Sequence, residues 1–366
     1  MNLTKPTLLL DPRKVKENIA FMKEKADQHT LDFRPHFKTH QSKMIGEWFK
    51  EQGVKKITVS SVEMAKYFAK SGWNDILIAF PLNINEIKDI NKLSSSVNLY
   101  LTIENKAALT ALERELINDV GIYIKIDAGY GRTGIDWRNT EEIKVLAEKT
   151  EKFPKTSLTG LLIHSGHTYQ ANSTKEITEI HRTSINKLSE IRKHLKKDSH
   201  SLKLSIGDTP GCSIADEFYE ADEIRPGNFV FYDLQQYKSG ACKLEDIAIC
   251  LACPIVAKHE NKSTLIIYGG AVHFSKEYLM EGEKPIYGYG IKLSDEGWIP
   301  WSNKMLITKL SQEHGTITVT PEIFNKFNIG DFIGFLPVHS CLTANLMGEY
   351  IDFSGNKYDH LKGQKF

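Results

Sequence analysis

Five short polar or glycine-rich stretches each follow an apolar, strand-like run: RPHFKTH (34–40), IDAGYGRTGI (126–135), HSGHTYQ (164–170), GDTPGCS (207–213) and EIRPGNFVFYD (223–233). The first carries Lys38 between His36 and His40, with Arg34 nearby. Neighbouring cations and partial burial both lower an ammonium pKa from its free value of about 10.4, which favours the neutral amine that attacks a carbonyl. A single lysine in such a place could equally be a surface residue, so the weight lies in the company it keeps. GDTPGCS offers two glycines, a hydroxyl and several backbone N–H groups after a strand, a nest that suits a phosphate dianion; an ordinary turn would look the same. Arg225 in RPGN could approach a ring nitrogen or a phosphate, or stand as a surface arginine beside a turn.

HSGHTY places His164 and His167 three apart, too little to name a metal without a third ligand. His164, at the strand end, is the one assigned to stack on a flat ligand. PVHSCLTANL sets His339 and Cys341 two apart after a β-run. Alternate residues on a strand face one side, so both could reach one ion whose other positions go to water or substrate. Cys250 and Cys253 match C-x-x-C but lie in the apolar run IAICLACPIV, where residues three apart in a strand face opposite sides, so core packing is expected.

The elements that must position these residues alternate regularly. Asp11-Pro12 opens a helix whose Val15, Ile19, Met22 and Ala26 recur at helical spacing. A second helix carries Met44, Ile45, Trp48 and Phe49 on one face and closes at Gly53. Strand-like segments fall at 33–38, 57–60, 76–80, 97–102, 122–127, 158–164, 202–207 and 229–232, with helical patterns between most of them, for example 63–69, 104–117 and 173–194. Eight such repeats predict an α/β fold, a parallel, closed (β/α)8 TIM barrel, over residues 11–239. In such a barrel chemistry sits at the carboxyl ends of the strands, where the five clusters fall. Beyond about Ser239 short β-rich runs at 247–257, 264–268, 305–310, 316–319 and 332–337 predict a smaller, mostly antiparallel β-domain over 240–366, with residues 1–10 added as a strand.

Lys and Arg number 47 against 46 Asp and Glu, a formal net charge of +1, so no global field draws the chain to nucleic acid or to an acidic membrane. No apolar run is long enough to cross a bilayer, and the first ten residues do not read as a signal peptide. Five scattered cysteines in 366 residues make no disulfide framework, and a reducing cytoplasm is the expected location.

At RPHFKTH, supported by HSGHTY, GDTP, EIRPGN and HSC, the sequence resembles the fold-type III pyridoxal-phosphate enzymes, and within them the D-serine dehydratase / D-threonine aldolase group, through essentially the whole chain. The resemblance implies an alanine racemase-like barrel followed by a β-domain with a metal pair. It implies that Lys38 is the Schiff-base lysine and catalytic residue, and that Tyr169, Gly207, Thr209, Gly227 and Asn228 surround the cofactor ring and phosphate. Arg225 matches the racemase arginine that faces the pyridine nitrogen. His339 and Cys341 match the metal pair, with zinc the implied ion because a thiolate is soft. His-x-Cys resembles the dehydratase branch, whereas the aldolase branch tends to carry His-x-Asp.

The expected activity is therefore elimination from a small β-hydroxy D-amino acid, D-serine foremost, to a keto acid and ammonia, by a homodimer. Lys38 is the first choice for the base that removes the α-proton, and the metal for the group that draws on the β-hydroxyl. Retro-aldol cleavage uses the same parts. An amino-acid racemase would need no metal and would leave His339 and Cys341 without a purpose. A non-catalytic pyridoxal-phosphate carrier would resemble the barrel alone and leave the residues after Ser239 unexplained. A metal-dependent barrel hydrolase using His36, His164 and His167 would leave Lys38 and GDTPG without one.

Overall fold

A computed structural model describes residues 3–195, 202–301 and 304–363, which fall into two compact units. One unit comprises residues 20–38 and 46–227, the other residues 1–19, 39–45 and 228–366. This division differs from a single cut after residue 239. The chain passes between the units inside two helices, Pro12–Gln28 and Lys43–Glu51, and at the peptide bonds Lys38–Thr39 and Gly227–Asn228.

The first unit is a barrel. Its parallel strands run in the order Asp32–Phe33, Glu223–Ile224, Lys203–Ile206, Thr156–Leu162, Val120–Asp127, Asn98–Ile103, Asp75–Pro81 and Ile57–Val59. The circle closes where Thr58 N donates to Pro35 O and Phe37 N donates to Thr58 O, both at 2.9 Å. The eighth strand is Glu223–Ile224; the expected strand at 229–232 does not form, and a 3-10 turn, Asn228–Val230, stands there instead. Pro226 and Gly227 interrupt the ladder, and Tyr232 has a positive φ of 49°. A short apolar run is buried in either conformation, so its hydrophobicity alone does not choose one.

Period-2 alternation sorts the barrel residues. Phe37 points outward into an aromatic cluster with Phe49, Phe68 and Trp73, ring centroids 4.9, 4.9 and 5.0 Å away. Its alternates Arg34 and His36 therefore belong to the opposite, interior set, while Lys38 lies exposed in the turn that follows. Arg34 lies lowest, buried among carboxylates: Nε donates to Glu223 Oε2 at 2.6 Å, Nη1 donates to Asp75, and Tyr100 covers the guanidinium at 4.9 Å. Glu223 also accepts from Ser205 Oγ at 2.6 Å. Burial opposes both charges, yet their attraction prevails: the Glu223 pKa is lowered and that of Arg34 raised. Above them Leu77, Tyr123 and Leu162 plug the barrel.

The second unit is built on an antiparallel sheet whose long strand, Ile249–His259, pairs with Thr7–Leu10, with Phe332–Pro337 and with Thr264–Tyr268. Residues 7–10 thus add the strand anticipated from sequence, with Leu9 opposite Cys250. Phe332–Pro337 continues to Gly288–Ser294, and Leu306–Leu310 pairs with His314–Thr318. Cys250 and Cys253 are free, fully buried thiols with pKa raised by burial, as core packing requires. Among the described residues no helix is long and apolar enough to cross a membrane.

Each unit also buries a neutral histidine. Burial lowers the His40 pKa to about 3 and the His181 pKa to about 4, both from an ordinary 6.5. A histidine depressed in the folded state contributes stability above its unfolded pKa and loses it as pH falls toward the folded value. We expect unfolding free energy, measured by urea titration, to fall from pH 6.5 toward pH 4 by up to about 1.4 kcal/mol per pH unit for each of these histidines. The change should shrink when His181 is replaced by glutamine.

Candidate active site

The carboxyl ends of the barrel strands gather a cluster of nitrogen bases: buried Lys125 and Arg225, half-buried His36 and His164, and the exposed Lys38, with Arg132 near Lys125 and His164. Burial first, and then the charges of Lys38 and Arg225, hold His36 well below its ordinary pKa. Burial first, then Lys125 and Lys38, do the same to His164. His164 Nδ1 donates to the Gly207 carbonyl at 2.6 Å, which leaves its lone pair on Nε2. His36 and His40 are therefore not the flanking cations that the sequence suggested; desolvation keeps both imidazoles neutral. Arg34 is likewise engaged below, with Glu223 and Asp75.

Lys125 went unnoticed in the sequence. It is 5 % exposed on the strand Val120–Asp127, two residues beyond Tyr123 and hence on the same interior side. Its pKa falls well below normal, through burial and then through Arg225 and Arg132, with Glu104 acting in the opposite sense. One Glu104 oxygen is buried without a hydrogen-bond partner. A lysine in the otherwise apolar VGIYIKID was the available signal. Arg225 is steered by donation from Nε to Ser205 Oγ at 2.6 Å and from Nη2 to the Ile163 carbonyl at 2.5 Å. Burial lowers its pKa to about 10.

The turn at 207–211 packs against this cluster with no room to spare. A Cβ on Gly207 would lie 2.9 Å from the Arg225 carbonyl oxygen, and one on Gly211 would lie 2.7 Å from Asp208 Oδ1 and 2.9 Å from His181 Nδ1. Asp208 caps the following turn: Oδ1 accepts from Gly211 N at 2.6 Å and from Thr168 Oγ1 at 2.9 Å, while burial lifts its pKa to about 6. Thr209 N donates to the Tyr169 hydroxyl at 3.2 Å. Amines and guanidinium beside neutral imidazoles make a receptor for an anionic, flat, carbonyl-bearing molecule, and pyridoxal phosphate meets all three requirements. Gly207→Ala should lower the thermal midpoint and the fraction of protein that copurifies with cofactor, at a cost of about 1–3 kcal/mol for overpacking. Calorimetry and absorbance of the bound cofactor check both.

Thus Lys38, His164, Tyr169, Gly207, Thr209, Arg225 and Gly227 all lie in the barrel unit, Gly227 as its last residue, next to Pro226, whose carbonyl accepts from His36 N at 2.8 Å. Asn228 belongs to the other unit, and its side chain is occupied there. Nδ2 donates to Asp233 Oδ2 at 2.6 Å and to Ser340 Oγ at 3.1 Å, and lies 3.6 Å from Cys341 Sγ. The hydrolase alternative fails: among the described residues no three His, Cys, Asp or Glu side chains are grouped to hold a metal, so His36, His164 and His167 form no such site. His167 instead stacks near Tyr130, centroids 6.2 Å apart.

His339 and Cys341 do meet, though not as alternate residues of a strand. His339 is the N-cap of the helix Ser340–Met347 and Cys341 lies in its first turn. Burial opposes charge on His339, but Cys341 and Asp233 outweigh it and push its pKa up to about 10. Thr39 Oγ1 lies 3.2 Å from Cys341 Sγ. A sulfur and an imidazole, with a buried carboxylate behind the ring, form a half-soft pair of donors that suits a divalent ion whose other positions stay open.

Comparison with known proteins agrees with both units. The model of the alanine racemase N-terminal domain matches residues 10–235, and that of a putative serine dehydratase domain matches residues 248–352. D-serine dehydratase of Dictyostelium discoideum is 31 % identical, covering 95 % of this chain and 93 % of its own. D-threonine aldolase of an Arthrobacter species is 22 % identical over 93 % of this chain and 86 % of its own. Among solved structures, D-threo-3-hydroxyaspartate dehydratase from Delftia sp. HT23 superposes with a TM-score of 0.89 at 23 % identity, covering 98 % of both chains. A mutant of that dehydratase has been solved in a metal-free form. The chain belongs to the fold-type III pyridoxal-phosphate enzymes, in the family that joins an alanine racemase-like barrel to a serine dehydratase domain. It is a pyridoxal-phosphate-dependent lyase of the D-serine dehydratase type.

Proposed function

We propose that the protein eliminates water from D-serine, or a closely similar small β-hydroxy D-amino acid, to give a keto acid and ammonia, with zinc held by His339 and Cys341. The observation that carries this reading is Cys341, whose sulfur sits among Thr39, Asn228 and His339 where the aldolase branch tends to carry aspartate. A thiolate favours zinc over magnesium or calcium.

Pyridoxal phosphate, when bound, supplies an electron sink for the charge left at the α-carbon. The chain's own groups do the rest. Lys38 would hold the cofactor and is the residue placed to take the α-proton. Lys125 and Arg225 oppose negative charge in the barrel cluster, and neutral His164 keeps its Nε2 lone pair for a flat or polar partner. His339 and Cys341 supply the ligands through which a Lewis acid makes the β-hydroxyl a better leaving group. The same reading takes the active form to be a cytoplasmic homodimer.

The test is keto-acid and ammonia release from D-serine by the purified yellow protein, with and without chelator. Release that stops on chelation and returns with zinc supports the proposal. Glycine and aldehyde from D-threonine, with no keto acid from D-serine, would replace it with aldol cleavage.

A further inference from the structure

Asp233 takes no part in the reaction just described, yet it is fully buried and accepts from every direction. Its Oδ1 caps the helix Leu234–Ser239 by accepting from Gln236 N at 3.0 Å. Its Oδ2 accepts from Asn228 Nδ2 at 2.6 Å, from Ser340 N at 3.0 Å and from Ser340 Oγ at 3.2 Å, and lies 3.4 Å from His339 Nδ1. Capping a six-residue helix needs only one oxygen. The second oxygen converges with Asn228, His339 and Ser340 on the pair of side chains read above as metal ligands.

We propose that Asp233 is the positioning residue of that pair: it holds the proton of His339 on Nδ1, so that Nε2 is the ligating nitrogen. This rests on the reading of His339 and Cys341 as metal ligands. The 3.4 Å approach is an ion-pair contact, longer than an ordinary hydrogen bond, and among the described residues His339 Nδ1 has no other partner. A carboxylate facing Nδ1 favours the proton there, which leaves the lone pair on Nε2.

Asp233→Asn keeps the size of the side chain and an oxygen to cap the Gln236 amide, but removes the charge. In the cofactor-loaded enzyme its zinc dissociation constant, measured by competition with a chromophoric chelator, should rise about 10- to 100-fold while cofactor absorbance is unchanged. Ser340→Ala removes a different partner of Asp233 and should leave zinc affinity within about threefold of wild type. A second measurement needs no variant. In cobalt-substituted wild-type enzyme, proton NMR should show one hyperfine-shifted imidazole N–H that exchanges with solvent, from His339 Nδ1. Wild-type zinc affinity in a folded Asp233→Asn protein, or no exchangeable shifted imidazole proton in the cobalt enzyme, would overturn the inference. Wild-type protein that binds neither ion would overturn the metal reading beneath it as well, and so tells the two failures apart.

Discussion

Lys38→Ala should release keto acid and ammonia from D-serine at least about 10⁴-fold more slowly than wild type, and the protein should lose the absorbance of lysine-bound cofactor. Two separate contributions are removed. General-base catalysis by a placed side chain is worth about 10²–10⁴-fold, and holding that base beside the reacting carbon adds the advantage of proximity. Neighbouring residues offer poor substitutes: His36 and His164 are kept neutral by burial, and His164 already spends Nδ1 on the Gly207 carbonyl. Lys125 is the one buried amine in the same cluster, on a different strand. Retention of more than a hundredth of wild-type turnover would mean that Lys125 or a histidine serves as the base. The variant should still bind free cofactor, since Arg225, Tyr169 and the 207–211 turn remain in place.

Cys341→Ala should keep lysine-bound cofactor and lose both stoichiometric zinc and dehydration, by roughly 10²–10⁴-fold if the Lewis acid supplies several kcal/mol. With no third His, Cys, Asp or Glu grouped with the pair among the described residues, one remaining imidazole cannot hold the ion at micromolar concentration. Metal content by atomic emission, read beside turnover, distinguishes this from misfolding, because Cys341 is only partly buried and its loss opens no core cavity. Undiminished dehydration by a zinc-free Cys341→Ala protein would remove the metal from the reaction.

How far the site could be read from sequence follows from the range over which each signal acts. Lys38 stood out as a candidate because Arg34, His36 and His40 are its neighbours in the chain, and in the structure it lies in the turn that follows the first barrel strand. The glycines at 207 and 211 were legible as a turn, and the structure adds that Arg225, Asp208 and His181 leave each no space for a Cβ. The eighth strand was misplaced because FVFY is equally apolar in a strand or in a buried turn. The pair His339 and Cys341 was found by a strand argument although a helix cap brings them together, since both geometries let residues two apart converge.

Sequence alone determined the repeating strand–helix beat and the order of the five polar clusters, because hydrophobic period and turn chemistry are local properties. Its family resemblance pointed to Lys38 as the reactive lysine. Tertiary structure decided what those clusters experience. Whether a histidine is charged depends on burial and on charges brought from far away in the chain, as at His36, where burial acts first and the charges of Arg225, His164 and Lys125 all contribute. Lys125 entered the cluster through barrel closure, and Asn228 came to lie near Cys341, 113 positions away, beside a carboxylate it shares with His339. Electrostatics and hydrogen bonding act through space, so the partners that tune a site become visible only once the chain has folded around it.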